Sequence, residues 1–207
     1  MIDSNPLYSA LMAMKPFLMR DLMIGMPGQV LSYDPDTQRA VIECGIQRHT
    51  GEGNFRTIDP IEGVPVQFAG SAGWTVFHEL PAGTEGFISF SQRAIDHWLN
   101  AGGPAMPFDA RMFNASDAFF APGYRSMKTV IPGLPREGIG MSNRAGDVLL
   151  HLTNGKASLI AGDSSVIVTS GAVDILSTTL THNGVNIGAT HQHGGVRPGP
   201  DKSGPPE

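Results

Sequence analysis

Two histidines near the carboxyl end, in His191-Gln192-His193, form the one pair in the chain with the spacing of metal ligands. In an extended strand, residues two apart point to the same side, so both imidazoles can approach one ion at about 2.0–2.1 Å. One chain supplies two nitrogens, short of the three protein ligands of a typical catalytic zinc site. A hydrolase pattern would want an acid and a further histidine soon after, and Gly194-Gly195 follows instead. Under three-fold symmetry the same pair becomes six nitrogens around one axial ion, an octahedral set. His49, His78, His97, His151 and His182 have no matching spacing and read as surface or hydrogen-bonded residues. Cys44, the single cysteine, excludes an intramolecular disulfide framework and Cys-cluster metal sites, and reads as a small buried apolar residue. No carboxylate pair stands apart from turns and solvated positions, so glycoside hydrolysis is not expected. A metalloenzyme would need a third ligand and a pocket.

The elements that must position these residues are short. Of 207 residues only 16% are charged, and 26 glycines with 16 prolines leave little room for long helices. The formal charge is −5 for the whole chain. Within residues 28–125, six basic residues stand against eleven acidic ones, also a net −5, the wrong sign for a groove that tracks phosphates. Nucleic acid is therefore not an expected partner. No stretch reaches the roughly 18 apolar residues of a transmembrane helix. No basic stretch precedes an uninterrupted apolar run at the start, which argues against a cleaved signal peptide and for folding in a reducing cytoplasm.

Residues 1–27 read as a helix and connector, with Asn5 as cap and Pro6 at the first helical position. Leu7, Leu11, Met14 and Leu18 share one stripe, six of the ten methionines fall in this segment, and Pro16 should kink or end the helix. A methionine-rich stripe of this kind marks an adaptable partner surface. Residues 28–125 alternate short strands with turn residues. The expected strands are Gln29–Tyr33, Arg39–Cys44, Val64–Phe68, Trp74–Phe77 and Gly86–Ser91, followed by a helix over Gln92–Asn100. Five antiparallel strands and a helix suggest a small closed barrel of the OB type. The Pro- and Gly-punctuated stretch 106–140 reads as an ordered connector, with Phe108, Phe113, Phe119 and Phe120 packing back on the barrel.

All fifteen aromatic residues lie at or before Tyr124, so the last 83 residues hold none. After a connector at 126–145, residues 146–188 run in strand-length blocks whose aliphatic residues alternate: Val148, Leu150 and Leu152; Val166 and Val168; Val173 and Ile175; Val185 and Ile187. The opposite face reads as mostly Ser, Thr, Asp or Asn. One copy would gain little beyond its ordering cost and would leave open strand edges. Three copies wound into a β-prism would bury the aliphatic stripe on the axis and pair the edges between chains. The alternative is an extra sheet packed on the barrel.

The span VPVQF…LPAGTEGFISFSQRAIDHWLNAGG…DAR…SDAFFAPG resembles the amino-terminal OB domain of membrane-puncturing spike proteins of contractile-tailed phages. The ending GVNIGATHQHGGVRPGPDKSGPP is similar to the apex of the same spikes, including the Mu-like type. The resemblance covers about residues 25–200. It implies an all-β fold: an OB-fold barrel (28–125) that docks on the tail hub, an intertwined trimeric β-helix needle (146–188) and a metal-binding apex (189–207). The short amino-terminal helix ahead of them, in residues 1–27, reads as a further hub-docking segment. It further implies a homotrimer in the virion baseplate, assembled in the host cytoplasm, that crosses the host outer membrane transiently. At the tip it implies an iron ion held by His191 and His193 of three chains. Six imidazoles suit a borderline divalent ion such as Fe²⁺, and by ligand type zinc or nickel as well. Additional structural ions in the needle stay open. So does a trimeric tail-tip adhesin for a host glycan, although an adhesin would usually display aromatics that the distal half lacks. The expected role is mechanical, not enzymatic.

Overall fold

The computed structural model describes residues 6–20, 22–192, 194, 195 and 199. Among them the secondary structure is mostly β, with two α-helices. The chain divides into two compact units, Met1–Val130 and Ile131–Glu207.

The first unit opens with α1 (Pro6–Arg20), whose Leu11, Met12, Met14 and Met19 are all exposed. The helix continues through Pro16, where an end or kink is expected from sequence. A proline inside a helix removes one main-chain hydrogen bond, and the flanking Ala, Leu and Met residues are strong helix formers. Asn5, the expected cap, lies outside the described residues.

The sheet of this unit has strand order β5-β2-β1-β6-β7, every pair antiparallel. Its strands are β1 (Gly25–Asp34), β2 (Arg39–Cys44), β5 (Ile61–Pro65), β6 (Glu85–Phe90) and β7 (Ala118–Pro122). A small exposed hairpin, β3 (Arg48–Gly51) and β4 (Asn54–Arg56), stands apart from it. Alternation puts Val30, Ile42, Val64, Ile88 and Phe120 on the inner face, each at most 2% exposed. Cys44 joins this core. The two edges approach each other: Val66, just past β5, bridges Phe120 in β7, and Gln67 N–H donates to Phe120 O at 2.9 Å. The sheet therefore curls into a half-barrel around one apolar centre.

Three strand assignments of this unit differ from the sequence pattern. β5 runs Ile61–Pro65, where Val64–Phe68 is expected. Trp74–Phe77 is a loop with a single bridge, Gly70 to Thr75, because the apolar residues of this alternating stretch point to solvent. The fifth strand is instead β7, in the stretch read as connector. There Phe120 enters the core while Phe119 turns outward against Trp98, with centroids 5.8 Å apart. Phe108 of the same stretch is exposed. Helix α2 is also shorter than expected, Asp96–Ala101, and ends on Gly102 at φ 64°. Its docking rests on Asp117, which has no exposed surface. That carboxylate accepts two hydrogen bonds from Arg111, each 2.8 Å, and one from Ile95 N–H at 3.0 Å. Arg111 also pairs with Asp96 and Asp109.

The second unit is an antiparallel meander in the order β12-β11-β10-β9-β8. Its strands are β8 (Ile139–Ser142), β9 (Val148–Thr153), β10 (Lys156–Ala161), β11 (Ser164–Val168) and β12 (Val173–Leu176). β8 lies inside the expected 126–145 connector, so the sheet starts earlier than residue 146. A two-residue hairpin follows, β13 (Thr181–His182) and β14 (Val185–Asn186). Asn183 and Gly184 turn it at φ 48° and 80°, the paired positive values of a type I′ turn.

Candidate functional site

Direct partners across an antiparallel ladder share a face, so the register of the second unit fixes which side chains stand together. One row crosses all five strands as Met141, Leu150, Leu159, Val166 and Ile175. The next row is Ile139, Leu152, Ala157, Val168 and Val173. Both rows are wholly apolar. All but Ala157 and Val166 are exposed in the chain by itself, Ile139 to 72% and Val173 to 64%. Soluble monomers rarely present a continuous apolar area above a few hundred Å². Two complete rows across five strands form such an area, and they run out to both edge strands, β8 and β12.

The opposite face is less polar than the sequence pattern implies. It mixes His151, Ser158 and Asp174 with Leu149, Ile160, Ile167 and Leu176. His151 Nε2 donates to Glu137 O at 2.7 Å, and the Ser158 hydroxyl is buried with no hydrogen-bond partner.

Past β14 the chain is organised around Asn186 and Gly188. Asn186 accepts from Gly188 N–H at 2.9 Å and donates to Thr190 Oγ1 at 3.1 Å. Gly188 O in turn accepts from His191 N–H at 3.0 Å and from His191 Nδ1 at 2.7 Å. A carbonyl oxygen can only accept, so this contact places a proton on Nδ1, which in a neutral imidazole leaves the lone pair to Nε2. Metal-bound histidines commonly have this arrangement, one ring nitrogen donating to a backbone carbonyl while the other faces the ion. The donor chemistry of His191 thus fits a ligand. His193, its sequence-predicted partner, lies outside the described residues. No group of three His, Cys, Asp or Glu side chains suited to a metal occurs among the described residues of one chain.

Three further histidines have local partners. His78 Nδ1 donates to Glu79 O and His97 Nδ1 to Met106 O, each at 3.0 Å, while His49 stacks on Phe55. A polar feature that sequence reasoning did not single out is Glu85. Its carboxylate accepts from Ser126 N–H at 2.6 Å, from Ser126 Oγ at 2.9 Å and from Thr129. The Ser126 amide and the two hydroxyls hold its pKa below the ordinary carboxylate value.

Residues 26–123, which span β1 through β7, match the family model described as phage protein Gp138 N-terminal domain. No curated protein matches the chain. The family match supports a phage structural protein of the baseplate or spike type, and with it a place in the virion. No helix among the described residues is long and apolar enough to cross a membrane.

Proposed function

We propose that this chain is one third of a homotrimeric central spike, which caps the tail tube of a contractile phage tail and pierces the host outer membrane when the sheath contracts. The observation that carries the reading is the apolar face of the β8–β12 sheet, which two further copies would cover. The match of residues 26–123 to a phage domain supports the same assignment. In this reading the first unit is an OB-type barrel that docks on tail hub proteins together with α1. The second unit joins its copies as a β-helix needle, with no aromatic ring to widen it.

His191 and His193 from three chains would hold an iron ion at the tip, supplying a staple that keeps three chain ends from fraying. Gly188 O orients the imidazole of His191 for that role. No catalytic chemistry is assigned, and the work is mechanical. The aromatic-free second half speaks against a glycan-binding adhesin, which relies on exposed rings.

Sedimentation equilibrium with metal analysis tests the reading. The expected result is a mass of three chains with one iron per trimer, and His191→Ala should abolish bound metal while leaving the trimer intact. A monomer at micromolar concentration would overturn the spike assignment. Unchanged metal content in the His191→Ala protein would overturn the apex.

A further inference from the structure

Trp74 and Phe77 are 85% and 83% exposed, more than any other aromatic side chain among the described residues. They do not sit on a slack loop. Ser71 N–H donates to Trp74 O at 2.7 Å and Val76 N–H to Ala69 O at 2.7 Å. A Cβ added at Gly70 would stand 2.4 Å from the Trp74 carbonyl oxygen, so only glycine allows the two arms to close this tightly. The chain has thus built a fixed mount for two large rings and left them in water. Rigid aromatic anchors of this kind dominate protein–protein contacts when they find a pocket.

A pocket of matching character lies elsewhere on the same unit. A groove of about 480 Å³ is lined by the bare backbone of Gly28, Gly45 and Gly86, with the rings of Phe87 and Tyr124 beside it. Those rings are 5.5 Å apart, and Glu43 and Glu85 line the same groove. Phe77 shares a surface with Tyr33, at one end of β1, whereas the groove surrounds Gly28. Five residues of strand, about 17 Å, separate the two positions. Trp74, being almost wholly exposed, does not fill the groove of its own chain.

A projection at one place and a recess at another make a head-to-tail contact between copies, and such a contact closes into a ring when the rotation is three-fold. Charge is compatible as well. Residues 70–77 carry no charged side chain, so they bring no charge to be desolvated into a groove lined by Glu43, Glu85 and Arg125, whose two carboxylates already accept from Gln29 and from Ser126 and Thr129. Two aromatic rings bring roughly 300–500 Å² to a contact, less than the about 800 Å² per partner of an interface that stands alone. This contact would order an assembly held together elsewhere.

We propose that the Trp74–Phe77 loop of each copy inserts into the Gly28–Gly86 groove of the next copy and locks the three amino-terminal units into a closed ring. The inference rests on the trimeric reading above and adds to it which surfaces of the first unit meet.

The full chain with Trp98→Phe leaves Trp74 as its single tryptophan. In protein shown to be trimeric by sedimentation, Trp74 should emit at shorter wavelength and be quenched by acrylamide several-fold less than in the urea-unfolded chain. Adding Phe87→Ala and Tyr124→Ala removes two exposed rings from the groove and leaves the core intact. It should return quenching most of the way to the unfolded value while the mass stays trimeric. A trimer in which Trp74 is quenched as readily as in urea overturns the ring contact alone, and so does shielding that survives the groove substitutions. A monomeric mass overturns the trimeric reading and this contact with it.

Discussion

At the scale of single residues, a carboxylate with no solvent contact survives only with partners, and Asp117 has Arg111 and the Ile95 amide. Burial by itself raises its pKa. The Arg111 hydrogen bonds, the Ile95 amide and the guanidinium charge outweigh that and hold the carboxyl below its ordinary range. A depressed native pKa stabilises the fold above the unfolded value of about 3.9, and this stabilisation is lost as pH falls through the native value. Asp117→Asn should therefore cost about 1.5–3 kcal/mol in urea unfolding at pH 7, since it removes the charge from the hydrogen bonds to Arg111 and Ile95 while Arg111 keeps Asp96 and Asp109. The gap to wild type should narrow below about pH 4, and a gap constant from pH 7 to pH 3 would refute the ionic role. None of this was legible in the sequence, because Asp117 reaches across 22 residues to Ile95. The histidine pair was legible because period-two spacing is a local property. The hydrogen bond from His191 to Gly188 O, which decides the tautomer, depends on the turn after β14 and carries no sequence signal of its own.

Elements explain where pattern reading succeeds. The blocks from Val148 to Leu176 announce β9 to β12, since aliphatic residues recur at every second position and small polar turns separate them. β8 went unread because Ile139-Gly140-Met141-Ser142 follows a run rich in Pro and Gly, and its strand character comes from pairing with β9. Trp74–Phe77 shows the reverse, an alternating stretch that imitates a strand while its side chains serve a surface. In the β8–β12 sheet the two faces make opposite predictions. Leu150→Glu places a carboxylate in the middle of the apolar row. If copies cover that row, the substitution forfeits about 1.5–3 kcal/mol of leucine burial and adds several more for an unpaired buried charge. The trimer should dissociate by sedimentation at micromolar concentration. Lys156→Glu, also a charge change but at an exposed position on the opposite face, should leave the mass unchanged. Equal behaviour of the two variants would mean that the apolar face is not where copies meet.

For the whole molecule, the two units differ in how their stability can arise. The first encloses its own centre, with Val30, Ile42, Ile88 and Phe120 all without solvent contact. The second leaves most of its aliphatic side chains exposed within one chain, so on the trimeric reading its folding and its assembly are one event. A state that exists only as a trimer gains stability from protomer concentration by mass action, whereas a self-contained unit does not. Thermal unfolding of the full chain should then show two transitions. The transition of the first unit, followed through its tryptophans and tyrosines, should stay at one temperature across a hundredfold dilution. The transition of the second unit, which has no aromatic residue beyond Tyr124 and is followed by far-ultraviolet circular dichroism, should fall in temperature on the same dilution. A chelator should lower the second transition alone, because any metal at the apex stabilises only the assembled ends. Two transitions that both ignore concentration would require the exposed aliphatic rows to be covered within a single chain, and the needle would have to be abandoned.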